Sequence, residues 1–256
     1  MNIKKAWCFF EQSGTFKKEF QKLGVPAFDI DIKNSFNETD FCIDLFEEIK
    51  AEVRGEKTIF SEIRKDDLIF AFFPCTRFSA RVPLNARGEG AQMRGWSVSE
   101  KLNYSSKTVK ELAENYEVLC LLVEVCLQKN LRLVIENPYT QPSFLTLYFP
   151  IKPAFIDTDR SIRGDFYKKP TQYFFINCAP EHNFIFVSGS SSVTKRIETT
   201  TGDGKHSQAE MRSMMSPAYA NRFIREFLLD TREPAVSREA LFSYATKKRR
   251  QKYECY

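Results

Sequence analysis

The stretch Asp66-Asp67-Leu68-Ile69-Phe70-Ala71-Phe72-Phe73-Pro74-Cys75 constrains the fold of this chain more than any other. Its apolar run is short enough for one buried strand. It ends abruptly at Pro-Cys, and a polar segment containing Arg and Gly follows. Such a run reads as a central strand of a parallel sheet, covered on both faces. In open α/β sheets, chemistry gathers at the carboxyl ends of these strands. Cys75, held there by a rigid Pro, is therefore a candidate nucleophile. The plainer reading is one more buried thiol, which most lone cysteines are.

At 256 residues the chain fits one α/β domain with a small appendage, or at most two small domains. Its 24 Phe are a large supply of core material. No apolar stretch of about 18 residues exists, so no transmembrane helix is expected. The patch after Met1-Asn2-Ile3-Lys4-Lys5 is too short for a secretory signal. The 7 cysteines form no CxxC pair and are odd in number. They point to a reducing, cytoplasmic setting and away from a disulfide framework or a metal site. His182 and His206 are the only histidines, so a His-dependent triad has little to draw on. A net charge of +5 permits a nucleic-acid partner without requiring one.

Taken in order, Ala6-Trp7-Cys8-Phe9-Phe10 reads as a strand and Glu11 to Thr15 as a turn. Phe16 to Leu23 then reads as a helix stopped by Gly24, and Pro26 to Asp31 as a second strand with acid at its end. This is the nucleotide-cofactor half of a Rossmann-like sheet. Phe41-Cys42-Ile43-Asp44 reads as a third strand, followed by a helix through Leu45, Phe46, Ile49 and Val53 that Gly55 closes. After Pro74-Cys75, residues 76–106 show no regular period and carry Arg77, Arg81, Arg87, Arg94 and Lys101, which suits a functional loop. Val109, Leu112, Tyr116, Leu119, Leu122, Val123, Cys126 and Leu127 predict an amphipathic helix. Leu131 to Ile135 then predicts another core strand, ending at Glu136-Asn137-Pro138. Phe155 to Asp157 and Gln172 to Ile176 read as strands of a less regular sheet, and Ser216-Pro217 as the start of a closing helix.

Pro74-Cys75 and Glu136-Asn137 belong together. One right-handed crossover between parallel strands would put both strand ends on the same sheet edge. A thiol and a carboxyl would then face one crevice. A basic neighbourhood favours the thiolate, and a carboxyl buried at a strand end tends to hold its proton. The pair suits nucleophilic addition to an electron-poor ring, with protonation of a ring nitrogen.

Pro74-Cys75-Thr76-Arg77-Phe78-Ser79 followed by Glu136-Asn137-Pro138 resembles the two catalytic motifs of the cytosine-C5 DNA methyltransferases, in their compact, phage-type form. Ser13-Gly14-Thr15-Phe16, Asp29, Asp44 and the segment 212–220 match further motifs in the correct order. The resemblance implies an S-adenosylmethionine-dependent α/β fold with a reduced recognition region. Residues 1–176 would form the catalytic and cofactor core, 177–210 the short recognition region, 211–230 a closing helix and 231–256 a basic tail. It implies that Cys75 attacks C6 of an extruded cytosine, that Glu136 contacts N3 and the amino group, and that Asn137 fixes the carboxyl. S-adenosylmethionine would be held by Phe10, Ser13, Gly14, Thr15, Asp29, Ile30, Asp44, Pro74 and Ser213, with Asp29 on the ribose hydroxyls and Asp44 on the adenine amine. Double-stranded DNA would meet Arg77, Arg81, Arg87, Arg94, Lys168 and Lys169. A cognate restriction nuclease is the partner such enzymes have, and nucleoid association would follow from DNA binding.

Three departures from the family pattern stand out. Thr76 replaces the usual Gln, Thr171 stands where a base-contacting Arg is expected with Arg163 or Lys169 as stand-ins, and the recognition region is very short. They leave open a second reading, a weak or inactive protein of the same fold that binds DNA or cofactor. A Rossmann-like enzyme with another nucleotide cofactor would need a GxGxxG opening, which Glu11-Gln12-Ser13-Gly14-Thr15 does not supply.

Overall fold

A computed structural model describes residues 1–79, 81–182 and 201–229. The turn-rich stretch 188–192, most of the expected recognition region and the basic tail 231–256 lie outside the described residues.

Seven strands form one mixed sheet in the order β3-β2-β1-β4-β5-β7-β6. They are β1 (Ala6–Phe9), β2 (Ala27–Asp31), β3 (Phe41–Cys42), β4 (Leu68–Ala71), β5 (Arg132–Pro138), β6 (Phe155–Asp157) and β7 (Thr171–Ile176). The first five run parallel, and β7 lies antiparallel to both β5 and β6. This α/β architecture is compatible with a Rossmann-like fold. The strands expected in a less regular sheet, Phe155 to Asp157 and Gln172 to Ile176, extend the main sheet through antiparallel pairings. Among the described residues, no helix is long and apolar enough to cross a membrane.

All four residues of β4 are fully buried, as a strand covered on both faces requires. Ile69 and Ala71 face one core with Trp7, Phe9, Ile30 and Leu133. That core is closed by helices α2 (Leu45–Val53) and α4 (Val98–Lys129). Leu68 and Phe70 face the other core, with Cys8, Val134 and Tyr173. There the covering helices are α1 (Thr15–Lys22) and α7 (Pro217–Phe223), whose Phe16, Phe20 and Phe223 are buried. Much of the phenylalanine is spent here. Phe16 meets Phe70 edge-on at 4.8 Å, and Phe70 stacks on Phe223 at 5.5 Å. Ser216 caps α7 by accepting from the Tyr219 N–H, with Pro217 at the first helical position.

Residues 76–106 are more ordered than their lack of period suggests. They hold a short helix α3 (Arg81–Ala86), and α4 starts at Val98, well before the first apolar period. Ser97 and Glu100 form a reciprocal capping box at that start. The first turns of α4 show no amphipathic signal because they project into solvent, where Val98 and Leu102 are exposed, and Val109, expected on the apolar face, is exposed as well. Capping chemistry starts the helix, and burial begins only further along it.

Candidate functional site

The parallel register sets the geometry of the site. Ala71, the last residue of β4, pairs with Ile135 of β5, so Pro74-Cys75 and Glu136-Asn137 leave the same sheet edge side by side. Asn137 fixes them together: its Nδ2 donates to the Phe73 carbonyl at 3.0 Å, in a buried setting. On its other side β5 pairs with β7, with Glu136 opposite Tyr173 and Pro138 opposite Thr171.

The loop carrying Cys75 is clamped at both ends. Phe73 stacks between Phe46 and Phe78, and Phe78 stacks on Phe144 of helix α5 (Phe144–Tyr148). The Phe78 N–H closes the turn on the Cys75 carbonyl at 3.0 Å. Cys75 is half-buried. Burial pushes its thiol up, and the nearby Glu136 carboxyl adds to this, while Lys169 and Arg160 pull it down.

Burial also raises the Glu136 carboxyl, against the opposing charges of Lys169 and Arg160. Arg160 is the residue that motif matching missed. It is fully buried, 2.7 Å from Asp165 and 3.6 Å from Glu136. Asp165 in turn accepts from the Ser216 N–H at 2.8 Å, which ties this cluster to the start of α7. Arg163 points elsewhere, pairing with Asp157 at 3.4 Å and with Glu226. Of the two stand-ins expected for the missing Arg, Lys169 pulls down both the Cys75 thiol and the Glu136 carboxyl, whereas Arg163 pairs with Asp157. Thr171 is fully buried and donates to the Lys169 carbonyl at 3.1 Å, inside the sheet.

At the neighbouring strand ends, Phe10 follows β1 with φ of 59°, a conformation uncommon for a bulky side chain and concentrated at functional sites. Gly14 also has positive φ, and a Cβ there would meet Glu38 at 3.0 Å, so glycine is required. Asp29 of β2 is fully buried, and neither carboxylate oxygen has a hydrogen-bond donor of good geometry. Burial, reinforced by the Glu11 charge and opposed by Lys17, pushes it up to about 9. Glu11 accepts from the Phe16 N–H and the Ser13 hydroxyl, each at 3.0 Å, and leaves its Oε2 unsatisfied. Cys8, Glu11 and Asp29 offer donor atoms within 4.8 Å of one another. Burial pushes the Cys8 thiol well up, with the Glu11 and Asp29 carboxyls adding to it.

The other expected cofactor residues differ in their settings. Thr15 is buried, and its hydroxyl lies 2.9 Å from that of Ser13. The Ile30 side chain is wholly inside the core, so only its backbone faces the crevice edge, accepting from the Phe10 N–H at 2.8 Å. Asp44 is exposed and caps α2 by accepting from the Phe46 N–H at 2.9 Å. Pro74 is half-buried before Cys75. Ser213 ends helix α6 (Gln208–Ser213), donating to the Glu210 carbonyl at 2.7 Å. Through Glu210, α6 meets Lys33 and Ser35 in the loop after β2.

Among the expected DNA contacts, Arg81, Arg94 and Lys168 are exposed, Arg87 pairs with Glu89, and Arg77 pairs with Glu111. No known protein family and no curated protein matches this chain.

Proposed function

We propose that this protein is an S-adenosylmethionine-dependent methyltransferase acting on C5 of cytosine in DNA. One observation carries the reading. A half-buried thiol and a buried carboxyl, far apart in the chain, meet at adjacent strand ends with Asn137 bonding one strand end to the other. The likeness of both motifs to those of the cytosine-C5 enzymes supports the same reading, as does the orphaned carboxylate of Asp29, which would accept from a ribose diol.

In this reading Cys75 attacks C6 of an extruded cytosine as the thiolate, with its proton passing to solvent. The electrons of the C5–C6 double bond move to C5 while the Glu136 carboxyl, whose protonated form burial favours, donates to N3. S-adenosylmethionine, when bound, supplies an electrophilic methyl group for C5. Loss of the C5 proton to water, departure of Cys75 as the thiolate and return of the N3 proton to the Glu136 carboxylate restore the double bond and the starting enzyme. Arg160 sets positive charge 3.6 Å from the Glu136 carboxyl, and Lys169 provides positive charge to both Cys75 and Glu136. Asp29 binds the ribose, and the left-handed turn at Phe10 with the close approach at Gly14 shapes the cofactor crevice.

The test is incubation with labelled S-adenosylmethionine and varied duplex DNA, together with trapping on DNA containing 5-fluorocytosine. Label in DNA and a covalent Cys75 adduct are expected. If neither forms, the second reading stands, a binding protein on the same fold, which is favoured by the raised thiol of Cys75 and by a buried Thr171 that cannot reach a base.

Two further results are expected. Because Lys169 lowers both Cys75 and Glu136, its loss raises both, so the thiolate forms only at higher pH while the neutral carboxyl persists up to higher pH. Lys169→Met should therefore move the rising limb of the kcat/KM profile to more alkaline pH, whereas Lys169→Arg should leave it in place. Asp29→Ala should weaken S-adenosylhomocysteine binding about tenfold or more by calorimetry, as expected for lost charge-assisted bonds. Since ribose hydroxyls favour the ionised carboxylate, wild-type affinity should rise with pH towards about 9.

A further inference from the structure

Beside the reactive centre, but not part of it, lies a cavity of about 270 Å³. Its walls come from the segments that follow each reactive motif, Arg77 and Pro83 after Pro74-Cys75, and Pro142, Phe144, Leu147 and Tyr148 after Asn137-Pro138. Neither Cys75 nor Glu136 lines it. We propose that this cavity seats a second nucleobase of the DNA substrate, other than the target cytosine, an inference that rests on the DNA reading above.

Shape and chemistry both point to a planar ligand on a phosphodiester chain. Leu147 and Tyr148 are each 63% exposed, which is unusual for large apolar side chains beside an open hollow. The Phe144 and Tyr148 rings lie 4.8 Å apart and present aromatic surface to it. Base stacking on such surface tolerates any sequence, because every base has a π-face. The charges nearby complement phosphate. Arg77 lines the wall, Arg81 is exposed next to the lining residue Val82, and Lys107 shares the single carboxylate of Glu111 with Arg77. An apolar side chain of a partner protein would fill the hollow without needing these cations. Extruding a target base also leaves its neighbours partly unstacked, so a base is available to be taken up.

The experiment measures DNA affinity in a Cys75→Ala background, so that turnover plays no part. Tyr148→Ala and Tyr148→Phe are compared on mixed-sequence oligonucleotides and on oligonucleotides of the same length carrying abasic sites. Tyr148 is exposed and its replacement leaves both cores intact. Tyr148→Ala should weaken binding to base-bearing DNA about fivefold or more. Binding to abasic DNA should not change, Tyr148→Phe should behave as wild type, and the salt dependence should keep its slope because no phosphate contact is lost. Equal affinity of Tyr148→Ala and wild type for base-bearing DNA would overturn the proposal, as a pocket for a protein side chain would predict. So would a loss that persists on abasic DNA. Absence of binding to any DNA would remove both this inference and the proposed function. DNA binding with the Tyr148 effect but no methyl transfer by the unaltered protein would remove the proposed function alone.

Discussion

Cys75→Ser should lower methyl transfer to cytosine by about 10⁴-fold or more, the scale on which loss of a covalent nucleophile is felt. The exchange replaces one sulfur by oxygen in a loop whose shape is set elsewhere, by the rings of Phe46, Phe73 and Phe78 and by the bond from Asn137 to the Phe73 carbonyl. Affinity for S-adenosylhomocysteine and for DNA should accordingly stay within about twofold of wild type, as for a substitution that leaves packing alone. Glu136→Gln makes the informative companion. It removes a proton donor but keeps the side-chain volume and an amide donor, so a loss of about 10²–10⁴-fold is expected. The order matters more than either size. A Cys75→Ser variant that retained a tenth of wild-type rate under single-turnover conditions would mean that no bond forms between Cys75 and C6.

The centre of the sheet was legible because its residues answer to one requirement. Leu68 to Ala71 are buried on both faces and so are apolar without interruption. The strand ends could be read for the opposite reason, since an apolar run that stops at Pro-Cys or Glu-Asn puts polar chemistry where the backbone leaves the core. What could not be read depends on neighbours distant in the sequence. Phe155 to Asp157 and Thr171 to Ile176 look like any short strands. The antiparallel pairing of the second with β5, and of the first with the second, comes from partners that no local pattern specifies. The early start of α4 was hidden for another reason. Hydrophobic period reports a buried face, and its first turns have none.

The same contrast runs through the site. Asp29 announces itself as an acid within a short strand of otherwise apolar residues that ends at Asp31. Arg160 does not, because the segment Asp157-Thr158-Asp159-Arg160-Ser161-Ile162-Arg163-Gly164-Asp165 has the composition of a solvated loop. Only the fold turns Arg160 inwards to Glu136 and Asp165 and sends Arg163 to Asp157 and Glu226. Alternating charges of this kind carry no signal that tells the inward arginine from its neighbour.

That hidden position should be the most costly to replace for stability. Arg160 is fully buried with its guanidinium between Asp165 and Glu136 and against the ring of Tyr219 at 5.5 Å. Arg160→Leu keeps apolar bulk and removes the cation, leaving the buried Asp165 carboxylate uncompensated beside a second acid. Breaking a buried pair from one side costs about 3–5 kcal/mol. For a chain of this size that corresponds to a fall in Tm of roughly 6–20 °C. Urea unfolding would read the loss as a lower midpoint at constant slope. The cause can be separated from lost packing by adding Asp165→Asn. The asparagine oxygen still accepts from the Ser216 N–H, as Asp165 does at 2.8 Å, but carries no charge. If the orphaned carboxylate is what destabilises Arg160→Leu, the double variant should be the more stable of the two, because removing the second partner of a buried pair relieves the penalty left by the first. A double variant less stable than Arg160→Leu alone would assign the loss to packing against Tyr219 instead.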